Sequence, residues 1–113
     1  MHEMALAESM REIVESVARS NAAEHVSAVR VELGALSCVE PQALRFCFDA
    51  TMRGSLAEGA TLEIVTTPGE AWCMPCGKIV TLARFGNPCP ACGSYQLTIS
   101  RGDAMRVTEI EVH

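Results

Sequence analysis

The sequence predicts an α/β fold: two helices packed on a small β-sheet, with an inserted cysteine-bearing lobe whose following strand returns to the main sheet. Three observations predict it. Apolar residues recur at helical spacing near the amino terminus and again after Pro41. Segments 26–35 and 60–67 read as half-buried strands. Two close pairs of cysteines follow between residues 73 and 92, and one more strand-like segment closes the chain at 104–112. At 113 residues the chain is one domain, or one domain with a small metal-held lobe. Its 49% hydrophobic content suits a folded chain with a modest core.

Residues 3 to about 20 form an amphipathic helix. Leu6, Met10, Ile13, Val14 and Val17 follow helical spacing, while Glu3, Glu8, Arg11, Glu12 and Glu15 fall mostly elsewhere. The acidic first turn suits the positive helix end, and Ser20-Asn21 ends the helix. In 26–35, Val29, Val31 and Leu33 face in, and Arg30 and Glu32 face out. Pro41 suits the first turn of a second helix, with Leu44, Cys47, Phe48 and Thr51 down one face and Gly54 after its end. In 60–67, Leu62 and Ile64 point inward. Pro68-Gly69 breaks the pattern and opens the cysteine lobe. Residues 95–99 form a short strand. In the last strand the apolar phase shifts between Val107 and Ile110, which predicts a bulge or a sheet edge. The division is therefore a main lobe of residues 1–68 plus 103–113, and an insertion of residues 69–102 tethered at both ends.

Cys73-Met-Pro-Cys76 and Cys89-Pro-Ala-Cys92 are separated by twelve residues. Each C-x2-C turn brings two sulfurs onto one tight loop, and four thiolates suit a tetrahedral structural zinc. Gly77 and Gly93 follow the two turns and let the backbone aim N–H groups at sulfur, while Pro75 and Pro90 stiffen the loops. Two disulfides are the competing reading. Glu3, Glu8, Arg11 and Glu12 interrupt the first segment, so a signal peptide is not expected, and a cytoplasmic location disfavours disulfides. Rubredoxin-like iron also takes four thiolates. With five aromatic residues, an aromatic shell around a redox iron is hard to build, so zinc is favoured. Cys38, and Cys47 between Phe46 and Phe48, read as small buried apolar residues.

Met1-His2-Glu3 opens the first helix, where backbone N–H groups lack helical partners. The Met1 amine, the His2 amide and the His2 ring nitrogen can form fused small rings around one ion, and the Glu3 amide or carboxylate can close the square. Planar nitrogen coordination favours Ni(II) or Cu(II) over zinc. Histidine is too large at position 2 for the initiator methionine to be trimmed. One site that keeps its metal beside one that releases it suggests metal delivery. His25 and His113 have no comparable setting and read as solvent-facing, although His113 could bind adventitious metal.

Charge and motifs exclude other classes. The net charge of −5 is uneven: residues 1–68 hold five Arg and Lys against ten Asp and Glu, and residues 69–102 hold Lys78, Arg84 and Arg101 against Glu70. Four thiolates and one Zn2+ bring the cysteine lobe near neutral. No basic stripe remains for nucleic acid, and no apolar run is long enough to span a membrane. The acidic main lobe suits a metal cation or a basic partner. There is no Ser/His/Asp or Cys/His set, no phosphate loop, and no pair of acid/base carboxylates, so no catalytic residue is expected and the chain reads as a binder rather than an enzyme.

With these residues in place, the sequence resembles the HypA/HybF family of hydrogenase nickel-incorporation proteins. The resemblance runs through Met1-His2-Glu3, Gly34-Ala-Leu-Ser-Cys38-Val-Glu, Phe46-Cys47-Phe48-Asp49, both cysteine knuckles and the closing segment from Gly102 to Val112, so it covers essentially the whole chain. It implies a nickel metallochaperone that carries Ni2+ as transient cargo and holds Zn2+ as a structural ion. The family's nickel ligands fall on Met1, His2 and Glu3, and its zinc ligands on Cys73, Cys76, Cys89 and Cys92. The implied partners are a HypB-type GTPase and the [NiFe] hydrogenase large subunit, with the chain a monomer or weak homodimer in the cytoplasm. Some members carry histidines beside the knuckle cysteines, and this chain has none there. The rival readings are a rubredoxin-like electron carrier, which would be red, and a structural zinc-ribbon adaptor, which would bind no nickel.

Overall fold

The computed structural model describes residues 3–113. The elements follow in the order α1 (Glu3–Ser20), β1 (Val26–Gly34), α2 (Pro41–Met52), β2 (Thr61–Thr67), β3 (Gly69–Cys73), β4 (Lys78–Leu82), β5 (Leu97–Arg101) and β6 (Met105–Val112). They form two three-stranded sheets, ordered β2-β1-β6 and β4-β3-β5. The last strand therefore returns to the main sheet and lies at its edge, as the phase shift in its sequence predicts. The chain divides into two compact units. The first holds residues up to Val31, Val39–Val65 and Val107–His113. The second holds Glu32–Cys38 and Thr66–Arg106.

In the first unit α1 and α2 pack together. The buried stripe of α1 is Ala7, Met10, Val14 and Ala18. Met10 and Val14 are buried as expected, but Ile13 and Val17 depart from the expected face and stay 44% and 36% exposed. The buried stripe centres near Val14, about 100° round the helix from the line of Leu6, Ile13 and Val17, and the two alanines form its edge. Small residues there let the helix approach its neighbours closely. In α2, Glu40 is the N-cap, its carboxylate accepting from Ala43 N at 2.6 Å, and Pro41 sits in the first turn. Leu44, Phe48 and Met52 are buried at four-residue intervals, so the face ends on Met52 rather than Thr51. Cys47 is only half-buried. The Arg45 guanidinium donates to the Leu62 carbonyl and ties α2 to β2. On the central strand Arg30 bridges outward in both directions, to Glu63 of β2 at 3.1 Å and Glu109 of β6 at 3.0 Å. The Glu63 hydrogen bond, then the Glu109 charge, hold the guanidinium above its ordinary pKa.

In the second unit β3 is central, pairing antiparallel with β4 (Trp72 opposite Ile79, Cys73 opposite Lys78) and with β5 (Cys73 opposite Leu97). Alternation along β3 buries Ala71 and Cys73 and turns Trp72 out. The buried cluster is Leu36, Ala71, Cys73, Val80, Leu82 and Cys89, with Cys76, Leu97 and Ile99 against it. Of the larger apolar residues in this lobe, Trp72, Ile79 and Phe85 stay 44%, 48% and 61% exposed. Leu36 takes their place from outside the expected insertion. It is positioned by a turn in which Ser37 N donates to Gly34 O at 3.1 Å and Leu36 N donates to Gly102 O at 2.7 Å. Cys38 ends that turn at φ +61° and is exposed, which overturns its reading as a buried apolar residue. The left-handed backbone aims its side chain away while Leu36 goes in. β5 starts at Leu97 rather than residue 95, because residues 94–96 close the second knuckle: Cys89 N donates to Ser94 O at 2.8 Å and Gln96 N to Ser94 Oγ at 3.0 Å.

Candidate metal centre

The four cysteines come from two like turns. In the first, β3 ends at Cys73 and Gly77 N donates back to Cys73 O at 2.8 Å, with Gly77 at φ +64°. In the second, Gly93 N donates to Cys89 O at 2.8 Å, with Gly93 at φ +75°. A side chain at either glycine would strain the turn. The glycine N–H groups thus close the turns on carbonyls. N–H groups inside the turns reach the sulfurs instead, among them that of Ala91, 3.4 Å from Cys89 Sγ.

Both turns deliver their thiols to one place. All four Sγ atoms lie within 4.8 Å of one another, with Cys73 and Cys92 at 3.6 Å and Cys76 and Cys89 at 3.9 Å. A tetrahedral ion with metal–sulfur bonds of about 2.3 Å sets its sulfurs about 3.8 Å apart. The donor set therefore suits a four-thiolate ion, with two of its sulfur pairs already near that spacing. Cys73 and Cys89 are buried, Cys76 is half-buried and Cys92 is exposed, so the ion would sit at the rim of the apolar cluster. None of the six cysteines forms a disulfide.

The electrostatics point the same way. At Cys89, burial opposes ionisation, but the N–H groups of Cys92 and Ala91 outweigh it and bring the thiol down to about 7. Cys76 is pushed up to about 12, first by the Cys92 sulfur, then by the Cys73 sulfur and burial. Cys73 receives the Cys76 N–H, which favours its thiolate, yet burial and the Cys92 and Cys89 sulfurs together raise it. Thiols packed this closely cannot all ionise on their own. A divalent cation held there would supply the missing charge.

Of the three amino-terminal residues singled out by the sequence, Met1 and His2 lie outside the described residues. Glu3 is the first residue of α1, is half-buried, and its Oε2 accepts from Glu40 N at 3.4 Å. Sequence reasoning missed Leu36 beneath the cysteines. Its only signal was an isolated leucine between Gly34 and Ser37, too short to carry a period.

A small α/β protein with a four-cysteine ribbon and no helix long and apolar enough to cross a membrane, among the described residues, defines a class of metal-binding proteins. Residues 1–112 match the family described as "Hydrogenase/urease nickel incorporation, metallochaperone, hypA", and the chain belongs to this family of metal carriers, which are not catalysts. It is 56% identical over 112 residues to "Hydrogenase maturation factor HypA" of Rhodopseudomonas palustris (strain BisB5), covering 99% of each chain. It is 54% identical, with the same coverage, to "Hydrogenase maturation factor HypA 2" of Bradyrhizobium diazoefficiens. Among solved structures it is similar to the solution structure of the Ni metallochaperone HypA from Helicobacter pylori, with TM-score 0.73, 26% identity, and 99% of this chain and 97% of that chain covered.

Proposed function

We propose that this protein binds Ni(II) at its amino terminus, through the Met1 amine, His2 and Glu3, and delivers it to the [NiFe] hydrogenase large subunit together with a HypB-type GTPase. The observation that carries this reading is Glu3 as the first residue of α1, directly after Met1-His2 in a chain of the nickel-incorporation family. The first backbone N–H groups of a helix have no helical acceptors, so they remain available to an ion bound there. The family's description names urease beside hydrogenase, so a urease apoprotein is a second recipient of the same chemistry.

The four cysteines hold a structural Zn2+. The ion neutralises thiols that could not ionise together, and with so few buried apolar residues around it the ribbon depends on it. Residues 1–68 plus 103–113 handle nickel and residues 69–102 hold zinc, with residues 32–38 contributing Leu36 to the second lobe's packing. The protein works in the cytoplasm as a monomer or weak homodimer and binds neither nucleic acid nor membrane.

The test is nickel titration of three forms: the native amino terminus, a chain extended by one residue before Met1, and His2→Ala. Extension converts the amine to an amide, and the substitution removes the imidazole. Both should lose specific nickel binding while zinc content and helical signal stay unchanged. A planar diamagnetic ion is expected where backbone amides are deprotonated. Tight nickel binding by the extended chain would overturn the amine as a ligand. One zinc per chain with no nickel uptake by the native form would leave only a zinc-ribbon adaptor.

A further inference from the structure

We propose that His25 and His113 form a second surface site for a divalent transition-metal ion, separate from both the cysteine cluster and the amino terminus. The two residues are far apart in sequence and become neighbours in the first unit. His113 N donates to His25 O at 2.8 Å and His25 N to His113 O at 3.3 Å, the reciprocal exchange of a hydrogen-bonded antiparallel pair. Glu24 N adds a second bond to His113 O at 3.0 Å. Side chains of such a pair stand side by side on one face. The ring centroids are 6.4 Å apart at an interplanar angle of 27°, and both residues are exposed. The paired backbone thus holds two exposed imidazoles beside each other, within reach of a shared ion.

The surroundings of His113 supply what a ligating imidazole needs on its far side. Its Nε2 lies 2.9 Å from Ser27 Oγ and 3.9 Å from Glu111 Oε1. An Nε2–H donated to that hydroxyl, with a carboxylate beside it, leaves Nδ1 with its lone pair exposed. This is the arrangement that orients metal-bound histidines and raises their basicity. His25 supplies the second imidazole, and water completes the coordination. Two neutral imidazoles select borderline ions such as Ni(II), Cu(II) or Zn(II) over Mg(II) or Ca(II). The site goes beyond the proposed nickel terminus, because neither Met1 nor His2 takes part. It gives the protein a second exchangeable ligand set for the same class of ion.

The experiment uses the zinc-loaded, untagged full chain carrying His2→Ala, so that the terminal chelate is disabled. Cu(II) and Ni(II) are titrated in, followed by calorimetry and by paramagnetic broadening of the histidine ring signals. One equivalent should bind, with the His25 and His113 signals broadened together. Adding His25→Ala or His113→Ala should each weaken binding at least tenfold, since loss of an outer-shell partner alone costs about 10–100-fold. Glu111→Gln should weaken it less. Broadening of only one ring, or equal binding by the His25→Ala variant, would overturn the shared site. The His2→Ala background keeps this outcome distinct from failure of the terminal nickel site, which is read on the native chain alone.

Discussion

Cys76 and Cys89 face each other at 3.9 Å and titrate in opposite directions, one up to about 12 and the other down to about 7. The difference lies in what each sulfur receives. Cys89 takes backbone N–H groups, whereas Cys76 meets other sulfurs. A consequence for metal affinity follows. A thiol whose pKa is raised in the metal-free protein keeps its proton through neutral pH, and the incoming ion must expel it. Affinity is therefore lost as pH falls. Cys73 and Cys76 each contribute one such proton near neutrality, or about tenfold per pH unit apiece. Below about pH 7 Cys89 adds a third. Zinc affinity, measured by competition with a chelator, should change by at least about 100-fold per pH unit just above neutrality and more steeply below it. A change of tenfold or less per unit would mean that the thiols are already ionised in the metal-free protein. The knuckle chemistry was legible in the sequence from C-x2-C followed by glycine. Which sulfur receives which N–H was not, because that depends on turn geometry between residues of one loop.

At the level of elements, the ribbon strands β3, β4 and β5 enclose only a small apolar cluster, and two of its buried members are the cysteines Cys73 and Cys89. Cys76→Ala should release the ion and disorder roughly residues 70–100 while leaving most of the helical circular-dichroism signal from α1 and α2. Complete loss of helical signal would show that the ribbon and helices unfold as one cooperative unit. A second prediction concerns the close backbone approach of Gly34 and Gly102. A Cβ on Gly34 would collide with the Gly102 carbonyl, and Gly102 itself sits at φ +83° against the Pro68 carbonyl. Backbone has little room to yield, so Gly34→Ala should destabilise the protein by about 1–3 kcal/mol in denaturant titration, as overpacking does. Metal stoichiometry should survive. A neutral effect would mean that the turn from Gly34 to Cys38 shifts freely. The sequence places a glycine there without saying why. Its partner, Gly102, is a remote residue that only the fold brings close.

For the molecule as a whole, charge is the property that reaches furthest. Residues 1–68 carry ten acidic against five basic side chains, while residues 69–102 are basic by two. Arg30 engages both Glu63 and Glu109, and Arg11 pairs with Glu15, but Glu8, Glu12 and Glu58 are exposed. Such a field steers a basic partner more than it tightens the complex. Association with the proposed GTPase should slow by about tenfold or more between low and ~0.5 M salt, where the Debye length shrinks to a few ångströms. Stopped-flow on-rates measure this directly, and rates indifferent to salt would remove steering from the account.

Periodicity and spacing by themselves determined both helices, the strands β1, β2 and β6, and the four-cysteine cluster. These are short-range patterns: a helical stripe, an alternation, two residues between two cysteines. The tertiary structure decided what depends on distant partners. It chose Ala7 and Ala18 over Ile13 and Val17 for the buried face of α1, because close packing rewards small residues as well as apolar ones. It drew Leu36 into the ribbon cluster, left Trp72 and Ile79 in water, and turned Cys38 outward. It also set His25 against His113, two residues that the sequence leaves as unrelated solvent-facing side chains. No local pattern encodes such a meeting. It arises only when antiparallel pairing brings the start of one strand to the end of another.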